Sequence, residues 1–363
     1  MMGPIHLFEP GKDGHRPVIA RYIVKSLKHS GIPFFLDEMP LDPKLNSLAQ
    51  LDSRAQENGC HLTHVLTLED HFHRLLKDGF GHRKVVPSVG NYYLYTNLKT
   101  ILKGAGIRVA MKRAKIERLL VSDEMRQDYR WGLGHRADFV ADPWDPDEFQ
   151  PLEQKEARRM LGLGDTRTVF LLFGSLTARK GARLVLDALQ RAGFPDRVLV
   201  MLAGKPDADT RARAEELKLQ AGDSLRCDFN FIPEHLVSAY FHATDYVLSA
   251  YPAWFQVSSG TFTRACAAGR PSIVGDTGSL ARRVTQQRCG MTYKTGNVDA
   301  LAGAFIRALD CVVSPEYNVY CSAAYHLGEQ CQLRQYSQQL IASYRRAGWS
   351  EAKKDLKRVA IEG

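Results

Sequence analysis

The sequence predicts an α/β protein with two Rossmann-like, doubly wound domains that face a cleft. Short apolar runs alternate with helical patterns in two successive series along the chain. A proline-rich, acidic stretch without periodicity, residues 142–151, separates the two series and is interpreted as a linker. The length of 363 residues is too great for one ordinary core and suits two. A cleft between such domains typically binds one substrate on each side.

In the first series, residues 18–27 carry apolar side chains at helical spacing, and Gly31 marks the predicted end of that helix. Residues 40–60 are polar and are predicted to be irregular. The predicted strands are residues 5–8, 33–36, 64–68, 84–87, 118–121 and 138–141.

The second series predicts a sheet whose strands alternate with helices. The predicted strands are residues 168–173, 197–203, 229–232, 245–249 and 271–274. The predicted helices are residues 181–192, 209–220, 234–242, 260–268, 279–286 and 298–309, with a last helical pattern at 333–344. We expect an N-terminal domain at 1–147, a C-terminal domain at 148–332 and a helical segment at 333–363 that packs back on the N-terminal domain.

The composition favours a phosphate-bearing partner in a reducing compartment. The net charge of +9 suits a nucleotide, a nucleic acid or an anionic lipid surface without choosing among them. The seven cysteines form no Cys-x-x-Cys pair, which argues against a disulfide framework and against a structural zinc site. The sequence shows no signal-peptide pattern and no apolar run of about 20 residues, so a cytoplasmic location is expected.

Residues 168–181 are the most informative stretch. An apolar strand pattern ends at Gly174 and Ser175, and Arg179, Lys180 and Gly181 open a predicted helix. In open α/β sheets, ligands bind where strand ends meet helix starts, and helix N-termini favour anions. This pattern predicts a diphosphate site, and the alternative is a solvated Arg-Lys pair on a turn.

The sequence lacks the motifs of two classes of nucleotide-binding protein. No Gly-x-Gly-x-x-Gly follows any predicted strand, which counts against a dinucleotide-binding dehydrogenase. The glycine-bearing turn at residues 10–14 lacks the Gly-Lys-Ser/Thr of a Walker sequence.

Several segments follow one another in a definite order along the chain. They are residues 11–16, 121–125, 138–142, 147–151, 174–181, 245–249, 265–274 and 275–279. Their order resembles that of the GT-B glycosyltransferases, in particular the large retaining group (glycosyl transferases group 1 type) that includes many bacterial hexosyltransferases. In that group residues 174–181 would be the donor-phosphate segment.

The sequence departs from this group at three places. Ser175 stands where the group usually has an arginine. Gln256 and Arg264 stand where it has two glutamates eight residues apart, and a carboxylate accepts hydrogen bonds from sugar hydroxyls whereas arginine only donates them. Residues 87–91 occupy the region where the group often has a histidine.

The donor site implied by the resemblance lies in the C-terminal domain. Lys180, helped by Arg179 or Arg264, would neutralise the leaving diphosphate. The residues Ser258, Ser259 and Gly260 precede a predicted helix and would offer its free N–H groups to phosphate, while Gln256 would contact the sugar. The alternatives are an N-cap serine, a surface arginine and a plain loop residue.

In the N-terminal domain, Gly11 and Gly14 would let the backbone approach a substrate, and His15 would face the cleft. An ordinary turn and an exposed histidine are the alternatives. Asp70 lies among Glu69, His71 and His73 after a predicted strand and is a candidate base that contacts the acceptor. The spacing of this cluster does not match a known metal motif, so no metal site is predicted.

Residues 99–118 contain seven Lys and Arg side chains interleaved with apolar ones. This segment predicts either a surface that meets anionic lipid at the inner face of a membrane or an ordinary solvated helix face. No nucleic-acid recognition pattern accompanies the charge.

The resemblance implies an enzyme that moves a hexose-type sugar from a UDP- or GDP-sugar to a glycan, a lipid-linked acceptor or a small molecule. It implies retention of the anomeric configuration, with neither a metal nor another cofactor. The C-terminal domain would bind the donor and the N-terminal domain the acceptor. The alternatives are a sugar-nucleotide epimerase of GT-B fold and a catalytically degenerate binding or scaffold subunit.

Overall fold

The computed structural model describes residues 3–11, 16–66, 84–89, 118–121, 136–255 and 258–349. The strands in these residues are β1 (Ile5–Phe8), β2 (Phe34–Asp37), β3 (Leu62–Val65), β4 (Lys84–Val89), β5 (Arg118–Val121), β6 (Arg136–Phe139), β7 (Thr168–Phe173), β8 (Val198–Ala203), β9 (Leu225–Asp228), β10 (Tyr246–Ser249), β11 (Ser272–Gly275) and β12 (Gly290–Tyr293). The helices are α1 (Arg16–His29), α2 (Ser47–Glu57), α3 (Gln154–Met160), α4 (Ala182–Arg191), α5 (Ala208–Ala221), α6 (Glu234–Ala243), α7 (Gly260–Ala267), α8 (Gly278–Gln287), α9 (Val298–Cys311), α10 (Pro315–Glu329) and α11 (Leu333–Arg346).

The chain divides into two compact units. The first unit comprises Met1–Val140 and Tyr336–Gly363, and the second comprises Ala141–Gln335. Each unit contains a six-stranded sheet whose strand pairs are all parallel. Among the helices that the structure describes, none is both long and apolar enough to span a membrane.

The sheet of the first unit has the order β2-β1-β3-β4-β5-β6. Strand β1 pairs with both β2 and β3, and its side chains are buried. Helix α1 buries Tyr22, Ile23 and Leu27, as their spacing predicts, and Gly31 follows it with a φ of +64°. The carboxyl ends of the parallel strands meet at one edge of this sheet.

The prediction that residues 40–60 are irregular is wrong. Helix α2 occupies Ser47–Glu57, and the Asn46 side chain caps it by accepting a hydrogen bond from the Ala49 N–H at 2.8 Å. The buried residues Leu48, Leu51 and Ala55 lie three or four positions apart and form its apolar face. Polar residues between them obscure this short helical period in the sequence.

The His64 side chain in β3 makes the first unit sensitive to acid. Its Nδ1 atom lies 2.6 Å from the Tyr344 hydroxyl oxygen, and burial lowers the pKa of His64 from 6.5 to about 3. The unfolded chain therefore binds this proton below about pH 6.5, whereas the folded chain does not until about pH 3. The neutral form of His64 therefore contributes fully to the free energy of unfolding above pH 6.5. This contribution falls by about 1.4 kcal/mol per pH unit as the pH drops below 6.5.

We expect His64→Gln to remove this slope between about pH 6 and pH 5, where carboxylates stay ionised in both states. Urea unfolding of the first unit, measured across that range, checks the expectation. The exposed His29 at the end of α1 supplies the matched control, since His29→Gln should keep the slope. A His64→Gln slope equal to that of the unsubstituted chain would contradict the assignment.

The sheet of the second unit has the order β12-β11-β10-β7-β8-β9. Strand β7 is central and fully buried, as expected for a parallel strand covered on both faces. Its Phe170 and Leu172 pack in one core with Leu186 of α4, Val200 of β8 and Phe305 of α9. The loops after β7, β8 and β10 leave from the same edge of the sheet.

Four elements of the second unit differ from the predictions. The strand predicted at 229–232 lies instead at Leu225–Asp228, where arginine and aspartate conceal it, and Phe231 is exposed. Helix α3, strand β12 and helix α10 have no counterpart among the predicted elements. Helix α3 is short and mostly charged, whereas β12 and α10 carry mixed polar and small residues, and all three pack against neighbouring elements.

Candidate functional site

The chain forms a tight loop between β7 and helix α4. Gly174 has a φ of +106°, and the buried Leu176 donates its N–H to the Lys205 carbonyl at 2.9 Å. A single 3₁₀ turn follows at Ala178–Lys180, and Gly181 has a φ of +69°. Helix α4 begins at Ala182, one residue after the predicted start of 181, so Arg179 and Lys180 lie just before it in the 3₁₀ turn. Gly181, whose backbone is left-handed, lies between this basic pair and helix α4.

The Lys180 side chain turns into the protein. It is only 7 % exposed, and its Nζ atom donates a hydrogen bond to Thr261 Oγ1 at 2.7 Å. The Nζ atom also lies 5.1 Å from the centroid of the Tyr251 ring. An added Cβ at Gly174 would lie 3.9 Å from this Nζ, so Gly174 lies beside the ammonium.

The charge of Lys180 has no anionic partner in the described part of the chain. No Asp or Glu there forms an ion pair with it. An ammonium has three N–H donors, and the neutral Thr261 hydroxyl accepts only one of them. Burying such a group is costly unless it is paired, so this arrangement favours binding of an anion.

The amino end of helix α7 lies at the same place, because Thr261 belongs to its first turn. Ser259 is the N-cap, and its Oγ accepts a hydrogen bond from the Phe262 N–H at 3.4 Å. The first N–H groups of a helix have no partner within the helix, and the helix dipole adds positive potential there. A buried ammonium and a helix N-terminus together make an anion-binding site.

Ser258 does not share the role of Ser259. Its hydroxyl donates to Asp142 Oδ2 at 2.6 Å, within the second unit. The Ser258 hydroxyl is therefore engaged by a carboxylate, and Ser259 is the N-cap of the helix. The phosphate contact predicted for the N–H groups of residues 258–260 stays a prediction.

Arg179 lies beside Lys180 but faces a different ring. Its guanidinium carbon is 5.9 Å from the centroid of Phe255, and the side chain is exposed. Ser175 is exposed in the same loop between β7 and helix α4. The phosphate role predicted for Arg179 stays a prediction.

Arg264 lies one turn into helix α7 and forms an ion pair with Glu234 at the start of α6, with 3.2 Å between Nη2 and Oε1. Its guanidinium is therefore partly neutralised. The assistance to Lys180 predicted for it stays a prediction.

The predicted residues of the first unit lie largely outside the described residues. These are Gly14, His15 and Asp70, and Gln256 of the second unit is also outside. Gly11 is described, and its N–H donates to Glu9 Oε1 at 2.8 Å. That backbone donor is therefore already satisfied by a carboxylate.

Arg118 is the described member of the basic segment at 99–118. Its guanidinium makes two hydrogen bonds to the Asp138 carboxylate, at 2.6 and 3.0 Å. Burial acts to raise the pKa of Asp138, but Arg118, Arg346 and Ser343 together outweigh it and hold that pKa below its usual value. Arg118 thus joins β5 to β6. The other basic residues of the segment lie outside the described residues, and the lipid contact predicted for it stays a prediction.

Sequence reasoning missed Tyr251, Thr261 and Asp207. Asp207 caps helix α5 through the Thr210 N–H at 2.8 Å, and it also accepts from the Ala178 N–H at 3.2 Å, which fixes the 3₁₀ turn. The hydrogen bonds from Thr210 lower the pKa of Asp207. An Asp three residues before Thr210 is a visible capping signal, whereas the contacts of Tyr251 and Thr261 with Lys180 span 71 or more residues and leave no local pattern.

Comparisons with known proteins agree with this architecture. A family model for glycosyl transferases group 1 matches residues 167–311. D-inositol 3-phosphate glycosyltransferase of Geodermatophilus obscurus is 28 % identical over 210 residues, which are 54 % of this chain and 46 % of that protein. The chain spans about half the length of the curated relatives that it matches.

Among solved structures, a glycosyltransferase from Rickettsia africae matches with a TM-score of 0.76 at 13 % identity, over 96 % of this chain and 100 % of that one. Anabaena HepE in complex with UDP matches with a TM-score of 0.71 at 16 % identity, over 95 % of this chain and 100 % of that one. The predicted fold class is confirmed: the chain has a GT-B fold. The match of residues 167–311 to the glycosyl transferases group 1 model lies within the second unit and supports a GT-B glycosyltransferase.

Proposed function

We propose that this chain transfers a hexose-type sugar from a nucleotide-diphosphate sugar to a glycan, a lipid-linked acceptor or a small molecule. The observation that carries the proposal is the buried Lys180 ammonium, which lies at the amino end of helix α7 with one neutral hydrogen-bond partner. A departing nucleoside diphosphate is the anion that glycosyl transfer releases. The domain match at residues 167–311 covers both Lys180 and helix α7.

The donor we propose is a UDP- or GDP-sugar. Anabaena HepE has been solved with UDP and with UDP-glucose, and this chain shares its fold. The name of the matched inositol-phosphate glycosyltransferase adds a phosphorylated small molecule to the candidate acceptors. Contact with anionic lipid, through the basic segment at 99–118, remains part of the proposal for a lipid-linked acceptor.

In the reaction we propose, the bond between the anomeric carbon and the diphosphate oxygen breaks on the face where the acceptor oxygen attaches. The configuration at that carbon is thereby retained. The acceptor proton passes to an oxygen of the leaving phosphate. Lys180 and the first N–H groups of α7 stabilise the charge that develops on that phosphate, as fixed donors do without reorganising. We propose that no metal is required.

A catalytically degenerate binding subunit is a second candidate. The ion pair of Arg264 with Glu234 favours it, because an arginine held in this way stands where the resembled group has a glutamate. Such a subunit would bind a nucleotide without turning over its sugar. A GT-B epimerase differs from both, since it would alter the donor sugar with no acceptor present.

Thermal unfolding and NMR analysis of products test these candidates together. We expect UDP or GDP, at 100 times its Kd, to stabilise the chain by about 2.7 kcal/mol, and EDTA to leave that shift unchanged. Incubation with the matching sugar nucleotide and an acceptor panel should yield a glycoside of retained configuration. Binding without any product would favour the degenerate subunit. The absence of a shift with any nucleoside diphosphate would contradict the proposed function.

A further inference from the structure

We propose that Tyr251 is a positioning residue of the phosphate site. Its side chain holds the Lys180 ammonium and the amino end of helix α7 in a fixed position relative to each other. This inference rests on the proposed function. Tyr251 lies in the loop after β10 and is buried, with 6 % of its surface exposed. Its two polar features, the ring face and the hydroxyl, contact the two separate parts of the site.

The ring contacts the first part. With Lys180 Nζ 5.1 Å from the ring centroid and both residues buried, the interaction is a desolvated cation–π contact. Such contacts are stronger than exposed ones because water does not compete for the cation. A ring holds a cation without neutralising it, so the ammonium stays available to an anionic ligand. A carboxylate in the same place would compete with the phosphate.

The hydroxyl contacts the second part. The Tyr251 hydroxyl oxygen lies 2.8 Å from Ser259 Oγ, and Ser259 is the N-cap of α7. The same helix carries Thr261, which accepts the Lys180 hydrogen bond. Tyr251, Ser259, Thr261 and Lys180 therefore form a closed set of contacts around the first turn of α7.

The ring itself is held from the side. Phe255 stacks on it with 3.8 Å between ring centroids and 6° between ring planes. The Phe255 N–H donates to the Pro252 carbonyl at 2.9 Å, which closes the loop into a turn. Because Phe255 also lies 5.9 Å from the Arg179 guanidinium carbon, the stacked pair contacts both cations of the segment 179–180.

A double-mutant cycle with two probes tests this role. UDP reports on the diphosphate site, and uridine, which carries no phosphate, reports on the rest of the nucleotide site. We expect Tyr251→Leu to weaken UDP about tenfold or more and to leave uridine binding within about twofold. Tyr251→Phe keeps the ring but loses the hydroxyl contact with Ser259, so it should weaken UDP by an intermediate amount, about threefold. In the Lys180→Met background, Tyr251→Leu should have no further effect on UDP.

Each other outcome overturns the inference in a distinguishable way. Equal losses of UDP and uridine, or a full additional loss in the Lys180→Met background, would show that Tyr251 acts only by supporting the fold. Unchanged UDP affinity in Tyr251→Leu would overturn the positioning role while leaving the proposed function intact. Failure of the unsubstituted chain to bind UDP or GDP would overturn the proposed function, and the inference with it. Tyr325→Leu, at a half-exposed tyrosine of α10, is the matched control and should bind UDP normally.

Discussion

Lys180→Met is expected to lower kcat/KM for the donor sugar at least a hundredfold while leaving the folded chain no less stable. Removing a preorganised donor to a developing oxyanion costs on the order of 10² to 10³ in rate. Methionine has a similar length and no charge, so it removes the cost of burying an ammonium that no carboxylate in the described residues neutralises. Kinetics at varied donor concentration check the loss of kcat/KM, and urea unfolding of the same preparation checks the stability.

The matched control is Lys205→Met, at an exposed lysine in the loop after β8. We expect its kcat/KM and stability to stay close to those of the unsubstituted chain, since surface changes usually alter stability by less than about 0.5 kcal/mol. Normal turnover by Lys180→Met would remove Lys180 from the site. A stability loss above about 1 kcal/mol in that variant would make the ammonium a structural group instead.

Gly181→Ala is expected to destabilise the second unit by more than about 3 kcal/mol. An added Cβ at Gly181 would lie 2.0 Å from the Ala250 carbonyl oxygen, and the φ of +69° strains any residue with a Cβ. The backbone after β7 thus directly contacts the backbone after β10. That contact places Lys180 against the loop that carries Tyr251, so the surviving folded protein should also bind UDP poorly.

The stability loss expected for Gly181→Ala has two causes, the overlap with Ala250 and the left-handed backbone. Gly193→Ala measures the second cause alone. Gly193 has a φ of +74°, and no heavy atom of the described residues lies within 4 Å of its added Cβ. Its substitution should cost only the left-handed backbone term of about 1–2 kcal/mol. Urea unfolding of both variants measures the difference. Equal losses would show that the contact between Gly181 and Ala250 contributes nothing.

The fold class and the segment of the candidate site could be predicted from the sequence because both depend on local patterns. The apolar run of β7, the glycine that ends it and the basic pair that follows lie within 14 residues. Parallel strands with buried faces have continuous apolar runs, and their carboxyl ends meet at one edge. Helix α2 escaped the same reasoning because its apolar face has only a few buried residues among polar ones.

The chemistry of individual side chains was less accessible, because it depends on partners distant in sequence. Ser258, Gly11 and Arg118 all matched functional patterns, yet each hydrogen-bonds a carboxylate. Lys180 matched a similar pattern and has none among the described residues. What distinguishes it is burial against Tyr251 and Thr261, which only the packing of β7, β10 and α7 brings together.

The most direct test of the central claim is a crystal structure of the chain with UDP or GDP bound. The account predicts the diphosphate at the amino end of α7, with a phosphate oxygen within hydrogen-bond distance of Lys180 Nζ and of the N–H groups of Gly260 or Thr261. A nucleotide bound elsewhere, with the Lys180 ammonium still contacting only Thr261 and Tyr251, would contradict it.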